Sequence, residues 1–442
     1  MPDVIASSHV GWELATVALA LLLVAAVSRA LDTGPVTPAI VMVAVGLLVG
    51  PLVLSDVDVG PTSVTVRLLA EATLGVVLFS DASRIDLRAL RRESSVPARL
   101  LGVGLPLTIV AGTLGALALF GSFSLSDALI LAVILAPTDA GLGSAVVTDA
   151  RLPQRVRQSL NVESGLNDGI CVPVLLVVLA TASGAGEPAH PGQVIAEEIG
   201  YGLLAGVAAG CVSGAVVRLA GARGMVDDRW RAIVPVAGAA LAYGAAVGLG
   251  GSGFIGAFVA GTVYGAIARA EGAAAMDYTE ETGALLNAVT FFMFGAVLLG
   301  PALEHVSWQV ALYAVVSLTV ARMVPVAIAL YGTRARAPTV AFLGWFGPRG
   351  LASIVFAVVV ADTHRAAPPT ILTAAYFTVF VSVMAHGLSA APLVGRYASW
   401  FGSAGPEGAA MEAAEAHEHA ARYGAVRRRG HRPLEQSGPA PR

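Results

Sequence analysis

Residues 131–175 read LAVILAPTDAGLGSAVVTDARLPQRVRQSLNVESGLNDGICVPVL, apolar runs in which Asp139, Glu163 and Asp168 are embedded. An ionisable group at bilayer depth is costly, and where one is retained it usually marks an ion or proton path. The stretch therefore predicts an all-α membrane protein whose remaining helices hold these three acids in the bilayer.

The rest of the chain has the same character. Its 442 residues are 56% hydrophobic and 13% charged, with mean hydropathy +0.75. A soluble domain is nearer half apolar and a quarter charged. All 27 basic residues are arginine, a compositional bias rather than a nucleic-acid-binding face, and the net charge of -3 argues against a polyanionic partner. The two cysteines, Cys171 and Cys211, fall in apolar runs and read as small buried hydrophobes, with no disulfide framework and no transition-metal spacing.

A spanning helix needs about 20 largely apolar residues. About thirteen candidates meet that criterion: 11–28, 36–54, 66–81, 98–120, 126–148, 156–181, 195–219, 232–250, 253–269, 283–301, 307–331, 339–361 and 369–394. The first has no basic residue before Arg29 and reads as an uncleaved span rather than a signal peptide. Cytoplasmic loops carry the excess of positive charge. The loops after odd-numbered spans hold the arginine clusters at 84–99, 151–157, 218–231 and 334–336, whereas the opposite side holds Arg67 and Arg365. That parity predicts an N-terminus outside, a cytoplasmic C-terminus and a multi-pass protein of the cell membrane. Outside loops are expected at 55–65 and 187–193. The division is a transmembrane domain over 1–400 and a cytoplasmic tail over 401–442, with a short Ala/Glu-rich helix near 406–421 and disorder from 427 on. Arg427, Arg428 and Arg429 read as a solvated positive-inside cluster.

The fifth span is interrupted by Pro137, Thr138, Asp139, Gly141 and Gly143. Proline removes a backbone donor and clashes with the preceding turn, and glycine weakens a helix interior. A break is predicted there. Broken transporter helices free carbonyls for a cation and aim positive half-helix ends at anionic groups. Asp139 belongs at such an end, or pairs with a basic neighbour across a proline kink. The sixth span carries Asn161, Glu163, Ser164, Asn167 and Asp168. Residues four apart share a helix face, so Ser164 and Asp168 line one strip and Glu163 and Asn167 the next. Two carboxylates this close in a low dielectric cannot both stay charged without help. Arg322, alone among ionisable residues deep in the eleventh span, is assigned to Glu163, which leaves Asp168 to exchange its proton; spacing by itself leaves that allocation open. Hard alkali ions need oxygen ligands, and Asp139, Asp168, Ser164 and the Thr138 carbonyl supply them. A phosphate loop of the GxxxxGK[ST] type is absent from a chain without lysine, so an ion gradient rather than ATP is the expected energy source.

The segment APTDAGLGSAVVTDARLPQRVRQSLNVESGLNDG resembles the cation:proton antiporters of the NhaP and eukaryotic sodium/proton exchanger type. LLAEATLGVVLFSDASRIDL from Leu68, GSGFIGAFVAG from Gly251 and GWFGPRGLASIVFA from Gly344 are similar to that family's third, ninth and twelfth helices, and the resemblance covers approximately Gly11 to Tyr397. It implies two inverted repeats of six helices related across a seventh, with broken fifth and twelfth helices crossing near mid-membrane. Gly344, Gly347, Pro348 and Gly350 supply the matching breakers, with Arg349 among them. The resemblance implies that Asp168 carries ion and proton in turn, with Asp139, Ser164 and Thr138 as co-ligands of a monovalent cation. It implies that Glu163 and Arg322 form a buried ion pair held with Asn161 or Asn167, and that Arg349 lies near the crossing. It also implies a homodimer, no cofactor and, since Asn167 stands where a related branch has a second Asp, electroneutral exchange. Glu71 and His386 read as structural.

The expected function is thus not enzymatic. It is exchange of a monovalent cation, sodium first and potassium or lithium as alternatives, for protons by alternating access. A cation channel or gated leak using the same acids is the alternative, and a membrane sensor with the acids as interhelical glue is a third reading.

Overall fold

The computed structural model describes residues 15–28, 31, 36–53, 63–85, 95–139, 141–142, 144–182, 191–363, 368–408 and 410–413. Most of the two predicted outside loops, and the tail from 414 with its arginine cluster and histidines, lie outside the described residues. Those described are mostly helical, with no strand among them. In chain order the elements are α1 (Ala15–Ser28), α2 (Pro38–Val53), α3 (Val64–Ser83), α4 (Val96–Leu119), α5 (Leu125–Ile134), α6 (Ser144–Val147) and α7 (Gln154–Ala182). There follow α8 (Pro191–Ala215), α9 (Asp228–Gly248), α10 (Gly253–Ala268), α11 (Ala275–Leu303) and α12 (Trp308–Ala329). The last described elements are α13 (Ala337–Trp345), α14 (Leu351–Thr363), α15 (Pro369–Gly408) and α16 (Ala410–Ala413). Among the described residues, seven helices are long and apolar enough to cross a membrane, and five shorter ones are apolar.

Two boundaries differ from the sequence reading. Helical backbone is continuous from Gly253 to Met293, where a non-helical connection was expected at 270–282. A straight helix of that length would measure about 60 Å, roughly twice the hydrocarbon core. The chain instead passes α3 in both directions. Gly261 and Gly265 lie against Phe79 and Ser83, while on the return Gly283 lies beside Val76 and Val77 and Thr290 bonds to Thr73 at 3.0 Å. The connecting AEGAAAM is rich in strong helix formers, which keeps the reversal helical. The last helix also overruns its expected end at 394 and continues to Gly408, because loss of hydrophobicity there ends the span and not the helix.

The helices sort into two groups. In the first, α2, α3 and α8–α11 pack through glycines that let backbones touch. Gly46 and Gly50 face Phe292 and Ala296, and Gly202, Gly206, Gly210 and Gly214 face the helix from Ser252 to Ile267. Lipid offers no hydrophobic drive between helices, so such close packing is what associates them. The second group, α4–α7 and α12–α16, has its own apolar cluster, including Leu100, Val147, Val156, Val326, Phe342, Phe346, Val394 and Met411. Where the groups meet, α7 presents Gly165 and Gly169, the first beside Asp81 of α3 and the second under the Phe258 ring of α10.

Candidate functional site

Both predicted breaks are present, and they bind each other. Between α5 and α6 the chain is non-helical at Pro137–Asp139; between α13 and α14 it is non-helical at Phe346–Gly350. The Asp139 amide donates to the Pro348 carbonyl at 2.8 Å. Each break also delivers a charge to the other. The Asp139 carboxylate accepts from Gly141 N at 2.7 Å and from Leu351 N at 3.1 Å, the latter the first residue of α14. The Arg349 guanidinium donates to the Ala136 and Pro137 carbonyls at 2.7 and 3.2 Å, just past the end of α5. A helix N-terminus carries partial positive charge and a C-terminus partial negative charge, so anion and cation each sit at the end that stabilises them. Arg349 is fully buried and its amide donates to Ser382 Oγ at 2.6 Å, anchoring the crossing to α15.

Two glycines of the second break serve space rather than chain flexibility. A Cβ on Gly347 would meet the Arg322 guanidinium, with Cζ at 2.8 Å and Nη2 at 2.9 Å. A Cβ on Gly350 would stand 2.8 Å from Asp139 Cβ and 2.9 Å from its Cγ. Both neighbours are charged groups held by hydrogen bonds and cannot give way. Gly350→Ala is therefore expected to destabilise the protein by about 1–3 kcal/mol, as overpacking does, measured as a lower thermal midpoint in detergent, whereas alanine at the open position Gly102 should leave it unchanged.

Helix α7 supplies the rest. Ser164 Oγ donates to the Thr138 carbonyl at 2.5 Å and Asn167 Nδ2 donates to Thr138 Oγ1 at 2.6 Å, so the α5 break is fastened to α7 at two oxygens of one residue. Asp168, one turn beyond Ser164, is 7% exposed. Glu163 lies on the neighbouring strip and receives Arg322 in bidentate fashion at 2.5 and 2.9 Å, with both side chains buried. Fork geometry of this kind gives the strongest charge-assisted pairing. Helix α12 is interrupted at Thr319, where the Arg322 amide donates back to the Thr319 carbonyl, and Gly347, just past the end of α13, lies against the Arg322 guanidinium.

Most sequence-predicted residues are thus brought together, with two differences of detail. The Asn167 amide goes to Thr138 rather than to the Glu163–Arg322 pair, and Asn161 is half-buried away from the hydrogen bonds of that pair. Asp139 has both carboxylate oxygens on backbone amides, one of them in a half-helix 212 positions away. Glu71 lies apart from the crossing, where it accepts from Arg67 Nε at 2.7 Å, while Arg67 also pairs with Asp362 at the end of α14. His386 is 2.9 Å from both the Ser382 and the Trp345 carbonyls and stacks on the Trp345 ring, tying α15 to the end of α13. Sequence reasoning missed Ser382, which carries no signal beyond its apolar setting, and the spatial demand on Gly347, visible only once Arg322 is placed.

Comparison with known proteins agrees with this architecture. Over residues 17–396 the chain matches the family described as sodium/hydrogen exchanger, transmembrane. It is 23% identical over 365 residues to the K(+)/H(+) antiporter NhaP2 of Shewanella oneidensis, covering 79% of this chain and 61% of that protein. The corresponding protein of Shewanella baltica is 23% identical over 364 residues, with 79% and 60% covered. The chain therefore spans about three-fifths of the length of these relatives. Among solved structures, the sodium proton antiporter MjNhaP1 from Methanocaldococcus jannaschii at pH 8 superposes with a TM-score of 0.71 at 18% identity, covering 89% of this chain and 99% of that one. A second structure of the same protein gives 0.68 at 19% identity, with 88% and 98% covered. At these identities the structures show a shared fold, and the match over 17–396 shows that the chain belongs to the sodium/hydrogen exchanger family of membrane proteins.

Proposed function

We propose that this protein exchanges a monovalent cation for protons across the cell membrane, with cation and proton competing for the Asp168 carboxylate. The observation that supports this most is the strip on α7: a buried carboxylate one turn from Ser164, whose hydroxyl already reaches a carbonyl freed by the α5 break. Asp168, Ser164 and the Thr138 carbonyl are hard oxygen ligands of the kind an alkali ion needs. Asp139 completes the set as a second carboxylate at the α5 break, oriented by the Gly141 and Leu351 amides. The Glu163–Arg322 pair is internally neutral and holds α12 against α7.

The mechanism follows from charge. Protonated Asp168 is neutral, and cation-loaded Asp168 is neutral. Either form crosses the bilayer interior without the Born cost of a bare ion, whereas the empty anionic site does not. That asymmetry couples the two fluxes. One exchangeable carboxylate in the strip, with Asn167 committed to Thr138, makes the exchange one for one and electroneutral. The bundle of α4–α7 and α12–α16 carries the site, and it moves against the glycine-packed group along the bare faces of Gly165 and Gly169. The arginine parity supports an N-terminus outside and a cytoplasmic C-terminus, and the family resemblance implies a homodimer.

Sodium is the proposed cation, with potassium and lithium as the comparisons to make, since the named relatives include potassium and sodium antiporters. In proteoliposomes with an internal pH dye, adding each cation at zero membrane potential is expected to move protons without net current. Current that flows with no proton countertransport would replace this reading with a cation channel.

A further inference from the structure

We infer that Glu412, beyond the last span, is a positioning residue for the transport site: its carboxylate is the missing N-terminal cap of α13, the inner half of the broken twelfth span. The inference rests on the antiport reading for its consequence and on geometry for its existence. Helix α13 begins without a cap of its own. Its N-cap residue is Arg336, which makes no side-chain cap bond, and Arg336 is a cation at the end of a helix that favours anions. The vacancy is filled from 76 positions away. Glu412 Oε1 accepts from Arg336 N at 2.9 Å and from Thr339 Oγ1 at 2.6 Å, and Thr339 Oγ1 lies 2.8 Å from the Tyr397 hydroxyl. A relay thus runs from Tyr397 of α15 through Thr339 to the carboxylate. Glu412 is 1% exposed, so it is committed to this place and is not a passing surface contact.

What α13 does at its other end gives the cap its meaning. The helix is nine residues long and stops at Trp345. The next residues supply the Gly347 seat of Arg322, the Pro348 carbonyl that receives the Asp139 amide, and Arg349 on the α5 carbonyls. A short helix transmits a shift at its first turn to its last, because it is too short to absorb it. Glu412 therefore sets the register of the crossing from the cytoplasmic side. Its neighbour Met411 packs in the apolar cluster of the bundle with Val156, Leu160, Phe342, Val394 and Tyr397. All of these belong to the group that carries the site and none to the glycine-packed group. The segment consequently travels with the bundle and does not act as a brake tying it to the other helices.

The test uses the full-length protein in proteoliposomes. Glu412→Ala is expected to raise the apparent KM for the cation by about threefold to tenfold, the size of a lost helix cap, with the maximal rate within about twofold of wild type. Glu412→Gln keeps an acceptor oxygen and should recover most of the loss. Thr339→Val, a milder change that removes only the hydroxyl, should shift KM in the same direction. Hydrogen exchange of the backbone amides at 336–345 should quicken in Glu412→Ala and not in the α9 amides. An unchanged KM, a fall in maximal rate alone, or a raised maximal rate would overturn the proposal, the last pointing to a brake. Should the wild type show no cation-driven proton flux, the antiport reading fails, while the exchange rates at 336–345 still decide whether Glu412 caps α13.

Discussion

Asp168→Asn is expected to reduce cation-driven proton flux to the level of protein-free liposomes while the fold survives. Asparagine has nearly the shape of aspartate, so the packing of α7 on the α5 break, made by Ser164 and Asn167, is untouched. What is lost is the ability to be anionic. An amide takes up no proton in the physiological range and leaves a bound cation uncompensated, and an uncompensated charge does not cross a low-dielectric interior. Both halves of the exchange fail together. A thermal midpoint in detergent near that of wild type would show that the loss is functional. Ser164→Ala, by contrast, removes one ligand and one fastening of Thr138 and should weaken cation affinity without abolishing exchange.

The second large effect concerns stability. Arg322→Ala strands Glu163, a carboxylate 2% exposed whose two oxygens both accept from the Arg322 guanidinium. Breaking a buried pair by removing one partner typically costs about 3–5 kcal/mol. The guanidinium also fills the space above Gly347, so a cavity opens at the crossing. The variant should express poorly and melt well below wild type. Replacing both partners, Glu163→Met with Arg322→Met, removes the stranded charge and should restore much of the stability, as apolar replacements of buried pairs often do. A single Arg322→Ala variant as stable as wild type would show that the pair does not hold α12 to α7.

Much of this was legible in the residues. Pro137 and the glycines around Gly347 announce the two breaks because backbone sterics act locally. The Glu163–Arg322 pairing could be assigned because a charge deep in an apolar span must find a partner, and few were available. The limits are equally physical. The Leu351 amide that Asp139 accepts and the Ala136 carbonyl that receives Arg349 lie 212 and 213 positions from their partners, and no periodicity encodes such a meeting. Helix α11 starts early because Ala-rich sequence stays helical through a reversal that hydropathy alone reads as a loop. Glu412 lies in a stretch whose polarity places it outside the bilayer. Only the missing cap at Arg336 hints that something must come to α13, and it does not say from where.

The central claim is competition between cation and proton for one carboxylate, and the apparent KM for the cation across a pH series tests it most directly. With purified protein in proteoliposomes, competition for Asp168 predicts that KM rises by about tenfold per pH unit on the acid side, as one-proton linkage requires, while the rate at saturating cation stays constant. A KM that is independent of pH, with only the maximal rate changing, would contradict it.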